Sequence, residues 1–234
     1  MSTTDAGATT PTLSGAPQYA PAGLKGFDAN TPISASTAAA FYEHGYRFCL
    51  RYVGRTTMAS YDLTASEAQT ILNAGLALMV VQHVLEPGWS PTQSLGQEYG
   101  ANAAKFTKEI GVPPGVNLWC DLEGVASGTP ASNVTAYCNA WAEQVAAAGY
   151  VPGLYVGWEP GLSSQELYDL AFDHYWGAYN IDGDSIPATR GLLMQQREGT
   201  GGTIGGVSTE SYDDDETMTD KLGGNAIWLT LRPQ

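Results

Sequence analysis

Short apolar runs recur along the whole chain, and each has the length of a buried β-strand. The runs cover residues 24–29, 47–53, 76–84, 116–122, 151–158, 175–179, 191–196 and 211–217. Apolar runs of this length, separated by Gly- and Pro-containing turns, are typical of strands that are buried on both faces. The pattern therefore predicts eight strands.

Segments with helical patterning follow each of the first five predicted strands, and capping signals begin three of them at Thr64, Ser90 and Ser163. The last three predicted strands are joined by short or Gly-rich connections that carry little helical pattern. Successive strand–helix units imply right-handed crossovers and a parallel sheet, and eight strands close a small barrel. We therefore predict an α/β fold, a (β/α) TIM-like barrel with eight strands, the last three poorly covered by helices.

Composition sets the limits of this picture. The 234 residues, 43% of them hydrophobic, suit one domain, which we place at residues 23–234. Residues 1–22 are rich in Thr, Ala, Gly and Pro, and they lack the basic start and apolar core of a signal peptide. We predict that this segment is a disordered lead-in or linker. No apolar run approaches the roughly 20 residues that span a bilayer.

Charge and the metal-binding residue types exclude several classes of function. A net charge of -14 argues against nucleic acid as a partner. Three cysteines without C-x-x-C spacing and three scattered histidines give no metal-site pattern. We predict no metal, no cofactor, no membrane span and a monomeric chain.

Asp121 and Glu123 carry the strongest chemical signal in the sequence. They lie two residues apart at the end of the fourth predicted strand, beside Trp119. Strand alternation sends these three side chains to one face, and Leu118, Cys120 and Leu122 to the other. Folding gains nothing from two adjacent acids, because each disfavours the ionisation of the other. A functional pair is therefore our interpretation, and a solvated strand end is the alternative.

Further acids fall on the first and last predicted strands, which are neighbours in a closed barrel. Asp28 ends the first strand, and Asp213, Asp214 and Asp215 lie on the eighth. We expect Asp213 and Asp215 to point inward and Asp214 to point outward. Catalytic groups of such barrels lie at the carboxyl ends of several strands, which is where we place these acids. A solvated acidic turn is the alternative for the last cluster.

Polar and aromatic residues end the other predicted strands. They are Arg51, Gln82, Tyr155, Trp158, Trp176, Tyr179, Gln195 and Gln196. Aromatic faces among acids, amides and a guanidinium suit a sugar, whose C–H faces stack on rings and whose hydroxyls need donors and acceptors. For each aromatic taken singly, core packing is the alternative. The Gly-rich segment 199–206 lacks a phosphate-binding pattern, and we expect a hairpin there.

Several of these motifs together resemble a known group of barrels. Gly26-Phe27-Asp28, Asp121-x-Glu123, Gln195-Gln196 and an Asp on the last strand resemble the family-25 glycoside hydrolases, the lysozyme-type muramidases. A related glycoside-hydrolase-like domain of unknown function is the closer match, since its members open on a similar Gly-Phe-Asp strand followed by one similar to residues 48–52. The strand-eight run Asp213-Asp214-Asp215 departs from the lysozyme pattern, which leaves open which Asp corresponds.

The resemblance implies a role for each acid. Glu123 is implied as the general acid and Asp121 as the residue that stabilises positive charge or positions the nucleophile. Asp28 and Asp213 are implied to complete the acidic floor. Arg51, Gln82, Tyr155, Trp158, Trp176, Tyr179, Gln195 and Asp215 are our candidate substrate-binding residues.

The predicted function is hydrolysis of glycosidic bonds in peptidoglycan or a related cell-envelope polysaccharide. Two alternatives stay open: a non-catalytic carbohydrate-binding or envelope-associated barrel, and a barrel enzyme that acts on a phosphorylated metabolite. The partner in our first interpretation is a polysaccharide or oligosaccharide. The resemblance suggests extracytoplasmic or phage-associated action, although the chain carries no signal peptide pattern.

Overall fold

The computed structural model describes residues 12–198, 203–208 and 211–232. Its helices are α1 Ala35–Glu43, α2 Ala65–Asn73, α3 Gln93–Ile110, α4 Ala131–Ala147 and α5 Ser164–Tyr168. Its strands are β1 Ala16–Tyr19, β2 Lys25–Ala29, β3 Phe48–Val53, β4 Ala77–Gln82, β5 Asn117–Leu122, β6 Val151–Val156, β7 His174–Gly177, β8 Met194–Arg197, β9 Thr203–Ile204, β10 Val207–Ser208, β11 Tyr212–Thr217 and β12 Ile227–Thr230.

Eight of these strands close a barrel. Strands β2 to β8 pair in chain order and in parallel, and β11 joins β8 to β2. The helices α1 to α5 each follow one of the strands β2 to β6. Between the strands that follow α5, the described segments contain one 3₁₀ turn, Gly183–Ser185, and a two-stranded hairpin of β9 and β10. The prediction of an eight-stranded barrel with three poorly covered strands is confirmed.

The helix starts follow two of the three capping signals. Thr64 accepts a hydrogen bond from the Glu67 backbone N–H, and Ser163 forms a complete capping box with Glu166. The expected start at Ser90 is wrong, because Thr92 caps α3. A side-chain oxygen that accepts from the third backbone N–H compensates a donor that the first helical turn leaves unpaired.

Strand β11 runs antiparallel to both of its neighbours, whereas the sequence pattern led us to expect a parallel strand. The mouth of the barrel is therefore formed by the carboxyl ends of seven strands and the amino end of β11. Asp213 lies opposite Asp28 in the register of β11 and β2. The acids of the first and last barrel strands thus meet at the mouth, as expected, although β11 reaches it in the opposite direction.

The opposite end of the barrel is covered by β1 and β12. These two strands pair with each other, and β12 continues onto β4 at Leu78. Leu13 and Ala20, which flank β1, are buried. The expectation of a disordered segment up to residue 22 is therefore wrong for residues 12–22, because they form this strand and its packing contacts. Residues 1–11 lie outside the described residues.

Large side chains fill the barrel interior. Trp119 packs against Gly153, where an added Cβ would come within 2.3 Å of the indole ring. Phe48 and Trp228 contact each other with ring centroids 5.6 Å apart, and Phe48 also packs on Gly26. The interior below the mouth is therefore closed to ligands. Among the residues described, no helix is both long and apolar enough to cross a membrane.

Candidate active site

An open cavity of about 250 Å³ lies at the barrel mouth and is lined by acids from three strands or strand ends. The four acids are Asp28 from β2, Asp121 from β5, Glu123 directly after β5, and Asp213 from β11. The structure thus brings together in one cavity all four residues that we predicted as catalytic. Four carboxyl groups in one cavity repel each other when ionised, so their arrangement costs stability unless protons or a ligand compensate them.

Asp121 and Glu123 reach the cavity by the alternation of β5. Asp121 is buried, and its Oδ1 has no hydrogen-bond donor among the described residues. Glu123 is partly buried and lines the cavity together with Asp121. Gly157 leaves room for the Glu123 carboxylate, since a Cβ there would lie 2.3 Å from Oε2. The opposite face of β5 is buried, with Cys120 near Tyr137 of α4.

Asp28 sits at the centre of a hydrogen-bond network in the floor of the cavity. Tyr52 donates to its Oδ1 and Gln196 donates to its Oδ2, each at 2.9 Å. Tyr155 donates in turn to the Gln196 amide oxygen at 2.9 Å. These donors fix the orientation of the Asp28 carboxylate. The two partners Tyr52 and Gln196 are absent from our predicted site residues.

A second carboxyl group, that of Asp215, is buried on β11 opposite Gly26 of β2, two residues below Asp28. Trp176 donates to Asp215 Oδ1 at 2.8 Å, and Asp215 Oδ2 has no donor among the described residues. Burial, and then the charge of Asp28, raise the pKa of Asp215 well above its ordinary value. The environment of Asp215 therefore favours a protonated carboxyl group.

Burial raises the pKa of each acid in this cluster. The pKa of Asp121 is raised well above its ordinary value by burial and by the charges of Glu123 and Asp28. Burial also raises the pKa of Glu123, against the lowering effect of the Trp158 N–H bond. Burial, and then the charge of Asp213, raise the pKa of Asp28. Raised pKa values allow a carboxylic acid in this cluster to stay protonated closer to neutral pH.

The raised pKa of Asp215 leads to a prediction for Asp215→Asn. Because burial raises the pKa of Asp215, the folded state binds the Asp215 proton more tightly than the unfolded state, and stability falls as the pH rises. An Asn side chain is neutral at every pH, so it avoids the cost of burying a charge. We therefore expect the variant to be more stable than wild type at pH 8. The gain should shrink at pH 5.

Chemical denaturation at pH 8, 6.5 and 5 measures this difference, with Asp214→Asn as the matched control. Asp214 lies on the same strand but faces outward, where it accepts from Tyr46 and pairs with Lys25. A variant Asp215→Asn that is less stable than wild type at pH 8 would contradict the raised pKa of Asp215.

Two of the predicted substrate-binding residues belong to the helix layer. The Arg51 side chain is fully buried, pairs with Glu67 of α2 at 2.7 Å and donates to two backbone carbonyls. Gln82 donates to Gly54 and Tyr99 carbonyls and accepts from Trp141. The prediction that both face the cavity is wrong. Each satisfies buried polar groups between the barrel and its helices.

On β8 the glutamine that points inward is Gln196, one residue after the predicted Gln195. Gln195 bonds to Arg197 on the outer face, whereas Gln196 points inward to Asp28. Trp176 is buried beneath the cavity and contacts Asp215 rather than solvent. Among the remaining aromatics, Trp158 and Tyr179 stand at the strand ends around the mouth, and each is 54% exposed.

No group of three or more Cys, His, Asp or Glu residues suited to a metal ion occurs within residues 12–198, 203–208 and 211–232. The three cysteines are buried free thiols. The cavity itself is lined by carboxyl groups and by Tyr52, which donates to one of them.

The closed barrel and its acidic mouth define the protein as a glycoside-hydrolase-like barrel. The chain belongs to the family described as Rv2525c-like, glycoside hydrolase-like domain, which matches residues 39–217. This membership confirms the resemblance that the strand motifs suggested. A comparison with curated proteins found no match.

Solved structures show the same architecture. The chain is similar to the Tat-secreted protein Rv2525c of Mycobacterium tuberculosis, solved with L-tartrate, at a TM-score of 0.63 and 16% identity, over 87% of this chain and 99% of that one. The bacterial lysozyme of Streptomyces coelicolor follows at 0.56 and 14%, over 85% and 93%. The catalytic domain of endolysin ply40 from Listeria monocytogenes bacteriophage P40 gives 0.56 and 18%, over 84% and 94%. At these identities the likeness shows the fold.

Proposed function

We propose that the protein hydrolyses glycosidic bonds of peptidoglycan or a related cell-envelope polysaccharide. The observation that carries the proposal is the cavity lined by Asp28, Asp121, Glu123 and Asp213 at the barrel mouth. Glycoside hydrolysis needs an acid that protonates the leaving oxygen and a carboxylate that stabilises positive charge on the sugar. A cavity whose acids have raised pKa values supplies both kinds of group.

Glu123 is the proposed general acid. It lines the cavity, is partly exposed, and its carboxylate packs against Gly157, so it is accessible to a bound sugar. Its raised pKa favours a protonated carboxyl at the start of the reaction. Proton transfer from Glu123 to the departing oxygen lets the bond to the anomeric carbon break without forming a free alkoxide.

Asp121 is the proposed partner for the positive charge that develops on the sugar. It is buried beside Glu123 and lines the cavity, so its carboxyl group can face the substrate. The positive charge that develops on the sugar favours the ionised form of Asp121, and a buried carboxylate stabilises an oxocarbenium-like transition state more than it would in water. Asp28 and Asp213 keep the opposite wall negative, and Tyr52 and Gln196 hold Asp28 in place.

The choice of an envelope polysaccharide rests on the charge of the cavity and on the relatives. Four acids disfavour an anionic sugar ring at the reacting position and accept a neutral one. Trp158 and Tyr179 offer exposed rings at the rim for stacking on sugar faces. Rv2525c is a Tat-secreted protein, and related folds include a lysozyme and a bacteriophage endolysin. We accordingly propose that the chain acts on the cell envelope.

Product analysis tests the proposal. Wild-type protein is incubated with purified peptidoglycan and, separately, with chitooligosaccharides, cellulose and starch, and mass spectrometry follows new reducing ends. We expect soluble muropeptides with new reducing-end sugars, and none with heat-denatured protein. If no glycan is cut although an oligosaccharide binds, the enzyme interpretation fails and a carbohydrate-binding barrel takes its place.

A further inference from the structure

A second cleft, of about 440 Å³, opens at the barrel mouth beside the acidic cavity. It is lined by Asn30, Thr31, Pro32, Tyr61 and His83. Two of these residues, Asn30 and His83, also line the acidic cavity. The two spaces therefore adjoin across a common wall, and a ligand longer than one sugar ring can extend from one into the other.

Tyr61 gives this cleft an exposed aromatic wall. It lies in the loop between β3 and α2, its side chain is 50% exposed, and it contributes little to the core. Its backbone is nevertheless fixed, because the Arg51 guanidinium donates to the Tyr61 carbonyl at 2.7 Å. Arg51 also donates to the Ala29 carbonyl, directly before Asn30. One buried cation thus positions both walls of the cleft.

His83 forms the part of the wall that both spaces share. Its Nε2 lies 2.8 Å from Asp62 Oδ1, and its ring stacks on Tyr52 with centroids 4.7 Å apart. Tyr61 meets the same ring edge-on at 5.8 Å. Since Tyr52 donates to Asp28, an unbroken chain of contacts joins the aromatic wall to the acidic cavity. The cleft is therefore part of a built site with fixed walls.

We propose that this cleft is a second sugar subsite, which holds the unit next to the one in the acidic cavity. Its occupant is a neutral pyranose, such as an N-acetylated hexosamine. The C–H face of such a ring stacks on Tyr61, and the amide of Asn30 and the hydroxyl of Thr31 can bond its polar groups. The inference rests on the proposed function, because it assigns the cleft to the same glycan.

Binding of saccharides of different lengths tests the subsite. Calorimetric titrations use the di-, tetra- and hexasaccharide of N-acetylglucosamine as probes, in a Glu123→Gln background that keeps them intact. The variants Tyr61→Ala and Tyr61→Phe are compared with Tyr19→Ala. Tyr19 is an exposed tyrosine at the opposite end of the barrel, so it controls for the loss of an aromatic ring from the surface.

We expect the affinity of the background protein to rise with saccharide length. Tyr61→Ala should remove that rise, which amounts to a loss of about tenfold for the longer probes and little change for the disaccharide. Tyr61→Phe should retain most of the affinity, and Tyr19→Ala should retain all of it. The expected selective loss comes from the missing ring, since the fold does not depend on this half-exposed side chain.

Equal loss for short and long probes, or no loss for any, overturns the subsite. Binding of no probe by the background protein overturns it as well. Failure of the proposed function is seen separately: a wild type that binds with the expected length dependence but cleaves nothing keeps the subsite and loses only the hydrolase. Each result therefore points to one of the two proposals.

Discussion

Replacing Glu123 with Gln should slow glycan hydrolysis by about 10²–10⁴-fold and leave the fold and saccharide affinity nearly intact. Gln retains the shape of the side chain and much of its hydrogen bonding, but it has no acidic proton for the departing oxygen. The open position of Glu123 at the cavity means that little packing is lost. Initial rates of reducing-end release from peptidoglycan, with melting temperature as the fold control, measure the effect.

Asp214→Asn is the matched carboxylate-to-amide control for this experiment. Asp214 is buried but faces away from the cavity, toward Tyr46 and Lys25. We expect its turnover to stay close to that of wild type, with at most a modest change in stability. An equal loss of turnover in both variants would mean that general disruption of the charged barrel, rather than proton transfer from Glu123, explains the result.

Asp121→Asn should also be severe, at about 10²–10³-fold in turnover, because it removes the negative charge that faces the transition state. The same substitution should leave the stability of the fold unchanged or increase it. Burial raises the pKa of Asp121, so the folded state bears a cost at neutral pH that a neutral Asn avoids. The variant should therefore melt at the same temperature as wild type or higher.

This combination distinguishes a catalytic role of Asp121 from a structural one. When a residue serves function at the expense of stability, its replacement lowers turnover but retains or increases stability. Thermal melting and initial rates at pH 7 provide both values from one protein preparation. A large drop in melting temperature that accompanies the loss of turnover would assign Asp121 a structural role instead.

The sequence predicts the barrel and the acidic pair well because strong patterns encode them. Continuous apolar runs mark strands buried on both faces, and the D-x-E spacing sets the parity of β5 through a strict period of two. Asp121, Glu123, Asp28 and Asp213 accordingly line the cavity as expected. The inward parity of Asp215 and the outward parity of Asp214 follow from the same rule.

Where the sequence is misleading, both faces of a strand can hold a polar group. Arg51 and Gln82 lie near strand ends just as the acids do, but their partners are helix-layer groups far away in the sequence. Two adjacent glutamines on the short strand β8 give no parity signal, so the sequence does not show which of Gln195 and Gln196 points inward. Once Gln82 is known to point outward, the same alternation places the next residue, His83, on the side of the cavity.

The local sequence indicates neither the direction of β11 nor the pairing of β1 with β12. A Gly-rich connection before β11 allows either direction, and only the closure of the barrel decides between them. Strands β1 and β12 are four residues each and lie about 200 residues apart in the chain, so their pairing depends on the finished barrel. The segment around β1 is rich in Thr, Ala, Gly and Pro, a composition that is typical of linkers.

A crystal structure of the Glu123→Gln protein with a bound N-acetylglucosamine oligosaccharide tests the central claim most directly. We predict a glycosidic oxygen within hydrogen-bond reach, about 2.6–3.2 Å, of the side chain at position 123. The Asp121 carboxylate should face the anomeric carbon of the same linkage. A saccharide bound along the rim, with no glycosidic oxygen near position 123 and the acidic cavity empty of sugar, would contradict the proposal.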